Sequence, residues 1–265
     1  MPQKPKLGQN FLRDQTAIRR IVAALGDISQ QTVVEIGPGQ GAITGLLAAQ
    51  AGRVIALELD RELAPRLRAF LGSDRVTVLE QDVLQFDFAA AAAHAGHKLA
   101  VAGNLPYYIT SPILLKLAQS AASLDRAVLM VQREVADRIV AEPGTRDYGL
   151  LSVTVQMYGP VERLFTLPPG AFSPPPDVHS TVFRWRFAPR FKELGVEEGP
   201  FLQFARKAFA QKRKTLANNL RAAKLGTDVI AASLQRVGIP AQARAEELSL
   251  ESFARLFREL QQHQR

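Results

Sequence analysis

The residues best suited to chemistry in this sequence are Asn104-Leu105-Pro106-Tyr107, which follow the apolar run Leu99–Ala102. The side-chain oxygen of Asn104 and the main-chain oxygen of Leu105 can both accept from one amino group. Pro106 fixes the backbone so that the second oxygen points outward. Tyr107 offers a ring face for base stacking, worth ~1–3 kcal/mol per base. Together the four residues form a clamp for an exocyclic amine. The amine of adenine is a poor nucleophile because its lone pair is delocalised into the ring. Two acceptors localise that pair and hold it in line with a sulfonium methyl, so orientation and electrostatics carry the reaction. No strong base is needed, since the proton becomes acidic only after the new bond has formed. Taken alone, the same four residues also fit a strand-ending turn with a buried tyrosine.

A second constellation lies upstream. The run Val33–Ile36 leads into Gly37-Pro38-Gly39-Gln40-Gly41, where glycines let the chain turn tightly and a ligand approach the main chain. The spacing is Glu35-x-Gly-x-Gly-x-Gly and not the Gly-x-Gly-x-x-Gly of dinucleotide sites. Glu58 ends the next strand-like run, 17 residues after Gly41, where it can accept from both ribose hydroxyls. Asp82 follows the third run, placed to accept from an adenine amine. Either carboxylate alone reads as an ordinary loop-end acid, but their joint placement at successive strand ends points to an adenosine. No Lys-Ser/Thr phosphate cradle accompanies the glycines, so that adenosine carries no pyrophosphate.

These residues must be positioned by an alternation of strands and helices. Strands are expected near Thr32–Ile36, Val54–Leu57, Val76–Leu79, Leu99–Ala102, Ala127–Val131, Leu151–Met157 and Thr181–Phe187, with helices such as Ala42–Gln50 and Arg61–Leu71 between them. That order predicts an α/β domain whose sheet is mostly parallel and covered on both faces. Pro168, Pro169 and Pro174–Pro176 mark a stiff loop. After 193–200, which reads as a linker, the pattern becomes helical. Phe253, Leu256, Phe257 and Leu260 follow helical spacing behind a cap at Ser249. The expected domains are therefore 1–192 and a small all-α domain, 193–265.

The formal charge of +8 is localised. Residues 1–200 contribute +1, whereas 201–224 alone contribute +7, with no acid. Drawn as one helix, 201–224 places Phe201, Phe204, Ala205, Ala208, Phe209, Leu216 and Leu220 on one side. Arg206, Lys207, Arg213, Lys214, Arg221 and Lys224 lie on the other, and only Lys212 strays into the apolar sector. A surface helix normally mixes both signs, so this face is a candidate contact for a polyanion such as RNA. With no cysteine, thiolate catalysis, disulfides and cysteine zinc sites are excluded. His94, His97, His179 and His263 lack metal spacing, and no metal is expected. No apolar run is long enough for a membrane span, and Met1–Asp14 carries Lys4 and Lys6 without the apolar core of a secretory signal. A soluble, cytoplasmic monomer is the expectation.

The chain resembles the ribosomal RNA adenine dimethyltransferases, specifically their small-subunit (KsgA-type) group. The resemblance spans nearly the whole chain. It rests on Leu7-Gly8-Gln9-Asn10-Phe11-Leu12, Val34-Glu35-Ile36-Gly37-Pro38-Gly39-Gln40-Gly41, Leu57-Glu58-Leu59-Asp60, Gln81-Asp82-Val83 and Asn104-Leu105-Pro106-Tyr107-Tyr108-Ile109-Thr110-Ser111-Pro112. It continues through Phe172-x-Pro174-x-Pro176-x-Val178-x-Ser180 and Gln211-Lys212-Arg213-Lys214-Thr215-Leu216, with Lys212 where an arginine is more usual. Each motif is modest; their order and spacing are highly specific. The resemblance implies a Rossmann-like class I methyltransferase domain with a mostly parallel seven-stranded sheet, using S-adenosylmethionine. It implies two methyls on each of two adjacent adenosines in the 3′-terminal hairpin of 16S rRNA, in an assembling small subunit. It sets Asn10, Leu12 and Gly37 beside the methionine part of the cofactor, Glu58 on the ribose, Asp82 on the adenine amine and Asn104 beside the reacting methyl. Tyr107 and Phe172 would sandwich a target base drawn out of its stack. The basic helical segment would hold rRNA.

Three other functions share parts of this pattern. A 23S rRNA adenine methyltransferase of the resistance type has the same clamp, although Gln211–Leu216 and Tyr148-Gly149-x-Leu151-Ser152-Val153 look more like the small-subunit group. A non-catalytic assembly or transcription factor would not need the intact clamp. A DNA adenine methyltransferase would carry a sequence-reading domain, and nothing resembles one.

Overall fold

Seven strands pair into one sheet in the computed structural model, which describes residues 10–71 and 74–263. They are β1 (Thr32–Ile36), β2 (Arg53–Glu58), β3 (Val76–Glu80), β4 (Leu99–Asn104), β5 (Leu124–Gln132), β6 (Val161–Leu167) and β7 (Ser180–Arg186). Their order across the sheet is β3-β2-β1-β4-β5-β7-β6. The first five run parallel, and β7 lies antiparallel between β5 and β6. Every residue of β1 is buried, as its unbroken Val-Val run predicts for a strand covered on both faces. The helices Gln15–Ala23 and Thr44–Gln50 pack Ile18, Ile21, Val22 and Leu47 against Val33, Val54, Ala100 and Val128 of the sheet.

Strand order decides where a ligand can enter. From β1 the chain builds outward to β2 and β3, then returns to lay β4 on the other side of β1. The loops leaving β1 and β4 therefore diverge, and a crevice opens between them at the carboxyl ends of the strands.

The structure corrects one expected strand. Leu151–Met157 lies within a helix, Leu150–Met157, whose first turn is closed by the Gly149 amide donating to Ser152 Oγ at 3.0 Å. Ser152 through Val155 are all buried, and a short run buried on every side has no periodicity to separate helix from strand. The seventh strand is instead β6, unread in the sequence because Glu162 and Arg163 interrupt it. It is an edge strand, and edges carry charges that discourage further pairing.

The chain forms two compact units. Among the described residues, one comprises 10–136 and 160–187; the other comprises 137–159 and 188–263. The second is thus discontinuous and takes in the helix Leu150–Met157 as well as the C-terminal run. Within it, Phe201, Phe204, Phe253 and Phe257 meet in edge and tilted ring contacts. Ser249 caps the helix Leu250–Gln262 by accepting from the Ser252 amide.

The segment 201–224 is two helices, Glu198–Ala208 and Leu216–Ala222, not one. Asn219, buried in the second, stops the first: its Nδ2 donates to the carbonyls of Ala208 (2.7 Å) and Gln211 (3.2 Å), and its Oδ1 accepts from the Gln211 amide (3.1 Å). Thr215 then caps the second helix by accepting from the Asn218 amide. The apolar positions remain inside, with Phe201, Phe204, Ala205, Ala208, Leu216 and Leu220 buried.

Candidate active site

The crevice is a cleft of about 1050 Å3, counting its open mouth. Its walls are the loops after β1, β2, β3 and β4, together with Asn10–Leu12. It therefore gathers Asn10, Leu12, Gly37, Glu58, Asp82, Asn104, Leu105, Pro106 and Tyr107 from five separate stretches of sequence. Of the clamp and cofactor residues expected from the sequence, only Phe172 is absent from its walls.

The glycine loop is shaped by backbone conformation. Gly37 has φ +64° and Gly39 φ +57°, in the left-handed region that glycine enters without a Cβ clash. A Cβ on Gly39 would also stand 3.0 Å from the Phe11 ring. Glu58 ties this loop to the sheet: its Oε2 accepts from the Gly39 amide and its Oε1 from the Asp60 amide, each at 2.9 Å. Glu58 is 5% exposed, and burial pushes its carboxyl above the usual range against the pull of those two amides. Each carboxylate oxygen keeps a second lone pair for a ligand hydroxyl. Asp82 is half-buried and spends Oδ1 on the Leu84 amide at 2.9 Å, which leaves Oδ2.

At the clamp, Asn104 ends β4 and donates from Nδ2 to the main-chain oxygen of Asn10 at 3.0 Å. Among the described residues its Oδ1 accepts no hydrogen bond, and Asn104 stands on the cleft wall. Leu105 is fixed by its amide, which donates to the Met130 carbonyl at 2.9 Å. The Pro106 carbonyl is taken by the Ile109 amide and the Thr110 hydroxyl, so the turn consumes that oxygen and not Leu105's. Tyr107 is half-buried, and its hydroxyl lies 2.8 Å from Ser180 Oγ. Desolvation, the larger effect, raises its pKa, so at neutral pH it is a phenol and not a base. Phe172 is 4% exposed and packs in the core with Leu12, its partner in a short antiparallel pairing.

Two cleft residues stand in the motifs of the sequence without a role that the sequence alone assigns. Glu35 is 1% exposed, and among the described residues its Oε2 has no hydrogen-bond partner. Burial, reinforced by the Glu58 charge and opposed by Thr44, pushes its carboxyl up to about 7. A carboxylate inside a strand gives no periodic signal. Tyr108 is 59% exposed on the cleft wall, and burial together with the charges of Asp82 and Glu58 raises its pKa. Its only signal is its place beside Tyr107.

In the second unit, Arg206, Lys207, Arg213, Lys214 and Arg221 are all exposed. Arg206 and Lys207 end one helix, Arg213 and Lys214 stand on the turn held by Asn219, and Arg221 ends the next helix. Among the described residues none of the five is in a salt bridge, no group of His, Asp or Glu could hold a metal ion, and no helix is long and apolar enough to cross a membrane.

Comparison with known proteins shows the family. The family model for ribosomal RNA adenine dimethylase matches residues 2–262. Proteins named ribosomal RNA small subunit methyltransferase A are similar along the chain. That of Acidobacterium capsulatum is 61% identical over 97% of this chain and 91% of its own, and that of Koribacter versatilis 51% over 97% and 94%. Among solved structures, a dimethyladenosine transferase from Plasmodium falciparum shares the fold with TM-score 0.81 and 23% identity, over 95% of this chain and 98% of its own. The 23S rRNA methyltransferase ErmE matches with TM-score 0.71 and 27% identity, over 95% and 100%. The chain belongs to the ribosomal RNA adenine dimethylase family.

Proposed function

We infer that this chain is an S-adenosylmethionine-dependent enzyme that methylates the N6 amines of two adjacent adenosines in the 3′-terminal hairpin of 16S rRNA. It acts as a cytoplasmic monomer on an assembling small subunit. The observation that carries this reading is the orientation of Asn104: its nitrogen is spent on Asn10, and its oxygen remains as an acceptor in the cleft that holds Glu58 and Asp82. The names of the relatives support the small subunit as substrate, at 61% and 51% identity against 27% for the 23S enzyme.

The cleft fits the cofactor. Gly37 and Gly39 carry no side chain on the cleft wall, Glu58 and Asp82 keep acceptor positions for the ribose and the adenine amine, and the orphaned oxygen of Glu35 suits a cationic group such as the methionine ammonium. When bound, the cofactor supplies an activated methyl. Asn10, Leu12 and Gly37 border its methionine part. Asn104 Oδ1 and the Leu105 carbonyl accept from the target amine and localise its lone pair. Tyr107 stacks on the flipped base, and its hydroxyl, bonded to Ser180, takes no proton. The proton leaves to water after methylation. We assign the stacking to Tyr107 and to Phe172, which is paired with the cleft residue Leu12. The basic residues of 201–224 grip rRNA phosphates.

Tritium transfer from S-adenosylmethionine into purified 30S and 50S particles tests the reading. Label in 30S particles lacking the modification, and none in 50S, is expected. Label confined to 50S would favour the 23S function, and none in either would favour a non-catalytic factor.

A further inference from the structure

We propose that Ser180 is a positioning residue for methyl transfer, anchoring the Tyr107 ring at its far end. The proposal rests on the reading that Tyr107 stacks on the target base. Tyr107 begins a three-residue turn, Tyr107–Ile109, which follows β4 after only Leu105 and Pro106. A phenol ring on such a short turn can swing about two side-chain torsions. Its hydroxyl, however, meets Ser180 Oγ at 2.8 Å, so the ring is held at Cβ and at its opposite pole.

The anchor itself has no freedom. Ser180 is the first residue of β7 and 0% exposed. It pairs with Gln132 of β5 on one side and with Leu167 of β6 on the other. A hydroxyl on a backbone paired along both edges is a fixed point. β5 also borders β4, which ends in Asn104, so the acceptor and the ring are referenced to the same strands. Ring and acceptor must agree to within a fraction of an ångström if a stacked base is to present its amine to Asn104 Oδ1. This gives the serine that closes Phe172-x-Pro174-x-Pro176-x-Val178-x-Ser180 a role in the reaction.

The adjacent residue is a built-in control. Thr181 is equally buried, and its hydroxyl lies 2.9 Å from Thr166 Oγ1 across β6 and β7, a partner that is not among the residues lining the cleft. If Ser180 served only the sheet, losing either bond would have the same consequences.

The test compares Ser180→Ala, Ser180→Thr, Tyr107→Phe, Tyr107→Ala, the Ser180→Ala/Tyr107→Phe double variant and Thr181→Val in the full chain. Each is measured by single-turnover methyl transfer to 30S particles, calorimetric S-adenosylmethionine affinity and melting temperature. Ser180→Ala and Tyr107→Phe should each slow transfer about five- to tenfold, the size of one neutral hydrogen bond, with cofactor affinity unchanged. The double variant should be no slower than either, and Ser180→Thr should recover most of the rate. Thr181→Val should lower the melting temperature without slowing transfer. Wild-type rate in Ser180→Ala beside a slow Tyr107→Ala overturns the anchor and leaves the stacking intact. Additive losses in the double variant, or an equal loss in Thr181→Val, overturn it too. Wild-type rate in Tyr107→Ala removes the stacking reading itself.

Discussion

The side-chain nitrogen of Asn104 donates to the main-chain oxygen of Asn10 at 3.0 Å, joining residues 94 positions apart. A side-chain amide has an oxygen and a nitrogen of nearly equal size, and only its partners decide which points where. Turned over, Asn104 would set oxygen against oxygen. The segment before the first helix therefore decides that Asn104 turns its acceptor, and not its donor, away from Asn10.

Asn104→Ala should leave S-adenosylmethionine affinity near normal and cut turnover at least about a hundredfold, the cost of removing one preorganised polar group from a transition state. Single-turnover methylation and calorimetry check this together. A fully active variant would remove the clamp mechanism.

Glu58→Ala should weaken cofactor binding by ~1.5–3 kcal/mol for each charge-assisted hydrogen bond it removes. It also frees the Gly39 and Asp60 amides, so the glycine loop should exchange amide protons faster. Calorimetry is the better probe of affinity, because the single tryptophan, Trp185, sits five residues along β7 from Ser180, about 17 Å away. Unchanged affinity would place the adenosine elsewhere.

Glu35 should make stability of the ligand-free protein fall with rising pH. Its carboxyl is raised to about 7 in the fold from an ordinary 4.5. Between those values the folded chain keeps a proton that the unfolded chain has released. Stability is then greatest below about 4.5 and is lost as pH rises through about 7, by at most ~3 kcal/mol. Glu35→Gln should remove that slope and be the more stable protein at about pH 8. Urea unfolding on either side of that window reads the difference; parallel curves would show that Glu35 stays ionised.

Replacing Arg206, Lys207, Arg213 and Lys214 with Gln should weaken 30S binding at every salt concentration. The slope of log affinity against log salt should flatten by about 0.7 to 0.9 for each phosphate that is no longer neutralised, while cofactor affinity holds. Binding at three salt concentrations measures it. An unaltered slope with unaltered methylation would sink the assignment of these residues to RNA.

Much of the cleft was legible because its parts are punctuated locally. Left-handed turns demand glycine at Gly37 and Gly39, and a carboxylate at each strand end is visible as Glu58 and Asp82 whatever surrounds it. The strands that hold them are marked by β-branched runs. Periodicity failed where burial is complete, at Leu150–Met157, and where charges interrupt an edge strand, at Val161–Leu167.

The sequence by itself determined which groups are available: the acceptors and ring of Asn104–Tyr107, glycine turns and carboxylates from Gly37 to Asp82, and a basic run without acids. Tertiary structure alone decided which atoms remain free to act. Asn219 breaks the basic run into two helices, Asn10 orients the Asn104 amide, Ser180 meets the Tyr107 hydroxyl, and the core buries Phe172. Each of the three hydrogen-bonded choices is made by a partner eight or more positions away, and the burial of Phe172 by a core drawn from several strands and helices. A hydrogen bond commits an atom only when folding brings its partner within about 3 Å, and no local pattern records that meeting.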